Sequence, residues 1–233
     1  MKIKLSIGLL LVLTISFAAI GQQKEPESKL IEFQMALMKR APETEQRKNE
    51  DMNALRGQHL AYVQSLLESG KAVIAGPFAE DGELRGVAIY RTKSADEARS
   101  WAENDPMVKA GYLVVEMHPW WSEDVMKKAT MPLKMTTAYL GFLVRGDKWT
   151  PERTPKTEEI QKAHFANINR LAEMKKLVVA GPFGDNGQLR GIFVFKVGSL
   201  AEAQALAETD PAVQAGRLAI QMHTWSVPEG VLP

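Results

Sequence analysis

Cysteine is absent from this 233-residue chain, so disulfides, thiolate metal sites and a cysteine nucleophile are excluded. Charge of one sign is also lacking: 29 basic residues face 28 acidic ones, which leaves no basic footprint for nucleic acid. The four histidines show no HxH or HxxxH spacing, so no metal site is expected. P-loop, GxGxxG, GxSxG and HExxH motifs are missing too, and no cofactor is expected. What is present is a globular composition. Apolar residues make up 45% of the chain, enough to bury a core.

The one long apolar run is at the N-terminus. Lys2 and Lys4 precede apolar residues 5–20, and Ala19 and Gly21 supply small residues at a cleavage site before Gln22. This pattern predicts an export signal over 1–21 and a periplasmic or secreted protein. The alternative is a retained single-span anchor, for which about 16 apolar residues are short. No cysteine follows the run, so a lipid anchor is excluded, and no stable membrane anchor is expected after cleavage. Removal takes the formal charge from +1 to about −1. Polar residues 22–29 read as a flexible leader.

The rest of the chain is a duplication. AGPF at Ala75 recurs at Ala180, DPxVxAG at Asp105 recurs at Asp210, and MHxW at Met117 recurs at Met222. One offset of about 105 residues aligns 59–121 with its copy without a gap, and roughly 28 of the 63 positions are identical. A period this long is a whole domain. The predicted units are 30–121 and 135–227, joined by a linker over 122–134.

Each unit reads β-α-β-β-α-β. The first strand spans 31–38 or 136–144, and a charged loop follows at 40–51 or 145–158. Helix 52–69 carries Leu55, His59, Val63 and Leu66 on one face, and its counterpart carries Ile160, His164, Ile168 and Leu171. Strands at 72–75 and 177–180 lead through Gly/Pro/Asp hairpins into GVAIYR and GIFVFK. Ser94 and Ser199 are N-caps with Glu97 and Glu202 at the capping-box position. A last strand covers 113–117 or 218–222. This order is the ferredoxin-like pattern. The strands are apolar at successive positions, which indicates burial on both faces. Helices cover one face of each sheet, so the sister unit is the natural cover for the other.

Right-handed crossovers put the start of the first helix and the end of the second at one sheet edge. His59 and Asp105 are expected to meet there, as are His164 and Asp210. An imidazole oriented by a carboxylate is a general base or acid near neutral pH. The plainer reading is a core histidine beside an aspartate that caps the next short helix, with proline at its first position. Gly76 and Gly181 serve a turn or admit close approach of a ligand. Arg85 and Arg190 are candidate clamps for a ligand carboxylate, against the alternative of solvated hairpin charges. Trp120, Trp121 and Trp225 are expected to close sheet edges, with His118 and His223 at the edge opposite the pocket.

A helix-borne histidine in RGQHLAYVQSLLESGKAVIAGPF, the Gly-rich hairpin and the DPxxxAG segment together resemble the YCII-related family of the dimeric α+β barrel superfamily. The resemblance implies an α+β fold of two tandem ferredoxin-like units, their antiparallel sheets packed as an intrachain barrel, a covalent pseudo-dimer. It implies His59 with Asp105, and His164 with Asp210, as site residues. One branch of the family resembles a dehydrochlorinase acting on a chlorinated hydroxyquinol, a lyase chemistry. Two features depart from the pattern: duplication with an export signal, and Lys175–Lys176 where the first copy has Gly70 and Lys71. The functional expectation is a cofactor-free lyase or isomerase acting on a small organic molecule. The alternative is a non-catalytic ligand-binding or assembly module of the cell envelope. Association beyond the single chain is left open.

Overall fold

Runs of β-branched and aromatic residues form the strands, and capped amphipathic segments form the helices between them. The computed structural model describes residues 29–42 and 51–233. The expected export signal, nearly all of the leader and most of the first charged loop lie outside the described residues. The first half runs β1 (Ile31–Arg40), α1 (Met52–Ser69), β2 (Ala72–Pro77), β3 (Leu84–Tyr90), α2 (Ala95–Glu103), a short α3 (Pro106–Lys109) and β4 (Leu113–Ser122). The second half repeats it: β5 (Met135–Arg145), α4 (Pro155–Glu173), β6 (Leu177–Pro182), β7 (Leu189–Phe195), α5 (Leu200–Ala207), α6 (Pro211–Gln214) and β8 (Leu218–Pro228).

Local chemistry sets the helix ends. Asp51 starts α1 by accepting from the amides of Asn53 and Ala54, and Gly70 ends it in the left-handed conformation at φ 75°. Thr154 and Thr157 form a reciprocal capping box for α4, with Pro155 at its first turn. This helix therefore begins inside the stretch expected to be loop. At the other end of α4, Lys175 takes the left-handed conformation (φ 56°) that Gly70 holds in the first half. A side chain there costs about 1 kcal/mol.

The sheets have strand orders β2-β3-β1-β4 and β6-β7-β5-β8, with every neighbouring pair antiparallel. The third strand thus lies between the first and second, as the crossover rule requires. β4 and β8 run further than their sequence suggests, and the MHxW motif lies inside them. Pro119 reads as a terminator, yet it pairs opposite Gln34 within β4. A proline is tolerated there because β4 is at the sheet's end.

The two sheets share one core. Phe33, Met35, Leu37, Val87 and Ile89 of the first join Leu140, Phe142, Ile192 and Val194 of the second in one buried cluster. On the helix side of the second sheet, Leu171, Phe193, Phe195, Ala203 and Ala207 form a separate cluster. The eight strands thus wrap into an intrachain α+β barrel with the helices outside.

Two seams close that barrel, and they are related by the duplication. The Trp120 indole donates to the Gly181 carbonyl at 3.0 Å, and the Trp225 indole donates to the Gly76 carbonyl at 3.0 Å. Backbone bridges pair Phe78 with Trp225 and Trp120 with Phe183. Both indoles are fully buried. They join the two halves and do not simply cap a sheet edge. The role of Gly76 and Gly181 is corrected accordingly. A Cβ at Gly76 would run into the Ser226 carbonyl, and one at Gly181 into the Trp121 carbonyl. The close approach is made by the sister half, in place of a ligand.

Candidate active site

Each half brings one imidazole onto one helix-capping aspartate. Asp105 caps α3: its Oδ1 accepts from the Met107 amide at 2.8 Å, and Pro106 occupies the first turn. Its other oxygen, Oδ2, lies 2.7 Å from Nδ1 of His59 on α1. The second half reproduces this arrangement. Asp210 Oδ1 accepts from the Ala212 amide at 2.8 Å, and Oδ2 lies 2.7 Å from His164 Nδ1. The capping role and the histidine-orienting role are both realised, on different oxygens of one carboxylate.

The tautomer follows from this geometry. An ionised carboxylate only accepts hydrogen bonds, so Nδ1 carries the proton and donates. Nε2 then keeps its lone pair, and among the described residues no protein group bonds it in either half. The carboxylates are buried, with side chains 4% and 0% exposed. The imidazoles differ: His59 is 25% exposed and His164 10%.

The surroundings explain that difference. His164 stacks on Phe193, with ring centroids 6.0 Å apart and planes at 19°, and it touches Phe165 at 5.6 Å. The position equivalent to Phe193 in the first half is Ala88, which pairs with Ala36 of β1. Beside His59, the Tyr62 hydroxyl donates to the Trp101 carbonyl at 2.8 Å. Burial first, and then the charge of Asp105, pushes the Tyr62 phenol up. Burial, with Tyr62 and Asp105 behind it, also pushes up the phenol of Tyr90. The second half replaces this apolar wall with a polar cluster, in which Arg170 donates to Asn167 at 2.8 Å and to Thr209 at 3.0 Å.

The remaining candidates divide. Arg85 Nη1 bonds Asp81 Oδ1 at 2.7 Å in the β2–β3 hairpin. Arg190 makes no such pair among the described residues, and its guanidinium lies 5.8 Å from the Trp149 ring. His118 and His223 lie within β4 and β8, and each faces a carboxylate from the other half. His118 Nδ1 bonds Asp185, and its Nε2 lies 2.9 Å from Glu116 Oε1. His223 stacks on Phe78 at 4.5 Å and lies 3.7 Å from Glu80. Sequence reasoning missed these cross-half pairs, although Glu80 and Asp185 occupy equivalent positions and signalled them.

Electrostatics separate the two seams. Burial raises the Asp185 carboxyl, but bonds from His118 and the Gly187 amide outweigh it and hold the group below the usual range. Glu80 is also raised by burial, and bonds from Thr224 outweigh that and lower it. Burial lowers His223 against the opposing pull of Glu80.

Among the described residues, no group of three or more acidic or histidine side chains is placed to hold a metal ion, and no helix is long and apolar enough to cross a membrane. A cavity of about 210 Å³ opens where α1 ends, lined in part by Arg91, Lys127 and Lys128, and neither histidine–aspartate pair borders it.

The profile of the YCII-related domain matches residues 33–121 and 142–222. No curated protein matches the chain at a significant level. Among solved structures, a mutant chlorite dismutase from Candidatus Nitrospira defluvii is similar with a TM-score of 0.55 at 10% identity, covering 85% of this chain and 92% of its own. A heme-binding protein from Thermus thermophilus is similar at 0.54 and 11% identity, covering 85% and 92%. A putative monooxygenase from Lactobacillus acidophilus is similar at 0.51 and 11%, covering 84% and 93%. At these identities the likeness is one of fold: single chains that share the paired α+β architecture.

Proposed function

The chain belongs to the YCII-related domain family through both of its halves, and on that premise we propose that it is a proton-transferring enzyme acting on a small organic molecule, with His59 as principal base. One observation carries the reading. In both halves a buried capping carboxylate holds imidazole Nδ1 at 2.7 Å, leaving Nε2 without a partner among the described residues.

Neutral His59 accepts a substrate proton at Nε2, and Asp105 stabilises the resulting imidazolium while staying ionised. If the proton returns at another carbon, the outcome is isomerisation. If the C–H electron pair forms a new double bond and a leaving group departs from the adjacent carbon with its own pair, the outcome is a lyase step. A positioned base contributes about 10²–10⁴-fold to such a step. The first half is the working half, because its imidazole is the more exposed and has no phenylalanine stacked on it. The charged start and apolar run of residues 1–21 support export, with this activity outside the cytoplasm.

A ligand-binding or assembly module is the second reading. It is favoured by the filled barrel interior, where Met35, Leu140, Ile192 and Phe33 are fully buried.

Deuterium uptake by C–H groups of small cyclic ketones, lactones and chlorinated hydroxyquinols, followed by NMR in D2O, separates the two. The enzyme reading expects exchange by the native chain and its loss in His59→Gln with the melting temperature kept. Binding of these compounds with no exchange favours the module. Equal loss of folding and exchange in His59→Gln makes the histidine a core residue. Imidazole ¹⁵N shifts give a direct check, since an unprotonated Nδ1 in neutral His59 removes the mechanism.

A further inference from the structure

We propose that the second half carries a binding site for a ligand carboxylate between Arg145 and Arg190, at the position the first half fills with its own aspartate. The duplication supplies the comparison. In the first half, Arg40 at the end of β1 and Arg85 in β3 both bond the same oxygen, Oδ1 of Asp81, the latter at 2.7 Å. One carboxylate thus joins two guanidinia. The equivalent residues of the second half are Arg145, Arg190 and Asn186. Both cations are kept and the anion is gone.

The rest of the second-half geometry matches a site that lacks its carboxylate. Asn186 stands in the left-handed conformation at φ 52°, and its backbone carbonyl accepts from Arg145 Nη2 at 2.5 Å. The Arg190 guanidinium has no hydrogen bond or ion pair among the described residues, and its Nη1 is shielded from solvent without a partner. Nε of Arg145 is likewise buried and unpartnered. Trp149 underlies both, with its ring 3.9 Å from the Arg145 guanidinium carbon and 5.8 Å from that of Arg190. Asp185 is the nearby carboxylate, but its oxygens are taken by His118 and the Gly187 amide. Burial, and then the charge of Arg145, lowers the Arg190 guanidinium, and the Asp185 carboxylate nearby opposes this without cancelling it.

Buried N–H groups left unpaired are costly, and a planar carboxylate matches the guanidinium fork. The aspartate of the sister half shows that this local frame accepts a carboxylate oxygen between its two arginines. Trp149 adds a flat wall for the ligand's body. This inference stands apart from the proton-transfer proposal, because no residue is shared with either histidine–aspartate pair.

Malonate is the probe. Melting temperature and tryptophan fluorescence are measured against malonate at constant ionic strength, with chloride and inorganic phosphate as comparators. The native chain is expected to show a saturable rise in melting temperature. Arg190→Gln raises the half-saturating concentration about tenfold or more. Asn186→Asp restores the internal carboxylate, removes the malonate response and leaves the ligand-free protein no less stable. Asp81→Asn creates a second response in the first half. A native response no larger than that of chloride overturns the site, as does an unchanged response in Asn186→Asp. A response to phosphate with none to malonate overturns its assignment to carboxylates.

Discussion

The two halves hold the same imidazole–carboxylate bond at the same 2.7 Å in unlike settings. In the first, Ala88 lies where the second has Phe193, and Tyr62 and Trp101 supply the wall. In the second, Phe193 stacks on His164 while Asn167, Arg170 and Thr209 form a polar cluster. What the halves share is the part set by covalent order: a histidine two turns into a helix and an aspartate that caps another. What differs is the shell that decides whether the imidazole is reachable. After duplication, the bond has been kept twice and access has been kept chiefly once.

The largest effect expected on this comparison is catalytic. His59→Gln should lower turnover about 10²–10⁴-fold, while His164→Gln leaves most of it. Equal losses in the two variants would show that exposure does not rank the sites. Next comes the seam. Gly76→Ala and Gly181→Ala each drive a Cβ into a backbone carbonyl of the other half and should cost about 3 kcal/mol or more, read by urea unfolding. Gly82→Ala, with open space around it, should cost little.

Acid should then weaken the join between the halves. Burial holds His223 down, so the unfolded chain binds that proton more readily. Its contribution is present above the unfolded value of about 6.5 and is lost as pH falls below it. Glu80 and Asp185 have lowered carboxyls, whose contribution is present above about pH 4 and is lost below it. Melting temperature measured from pH 7 to 3 should fall in these two stages, and Asp185→Asn should shrink the lower one. The smallest effect is at the end of α4, where Lys175→Gly should stabilise by about 0.5–1 kcal/mol by relieving the left-handed lysine. Thermal unfolding checks it, and no gain would mean that the turn is unstrained.

Much of this was legible in the sequence, for identifiable reasons. Helix 52–69 was readable because its apolar stripe is a local signal. The strand order followed from crossover handedness, and the His59–Asp105 contact followed from that order. The length of β4 was not readable, because Pro119 looks like a terminator until its edge position is known. Gly76 looked like a turn glycine with room for a ligand, since nothing near it in sequence names Ser226 as its neighbour. Arg190 was picked as a clamp from its own hairpin, whereas its partner Arg145 and the Trp149 ring come from the end of β5 and the loop beyond it.

The amino-acid order alone determined the duplication and the β-α-β-β-α-β course of each unit. These depend on short-range periodicity, capping chemistry and a constant offset. The tertiary structure decided which glycines meet the other half, which tryptophans join the halves, which imidazole is open and which arginine pair lacks its carboxylate. Those outcomes depend on distances between segments some 40 to 150 residues apart, and only packing of the two sheets sets such distances.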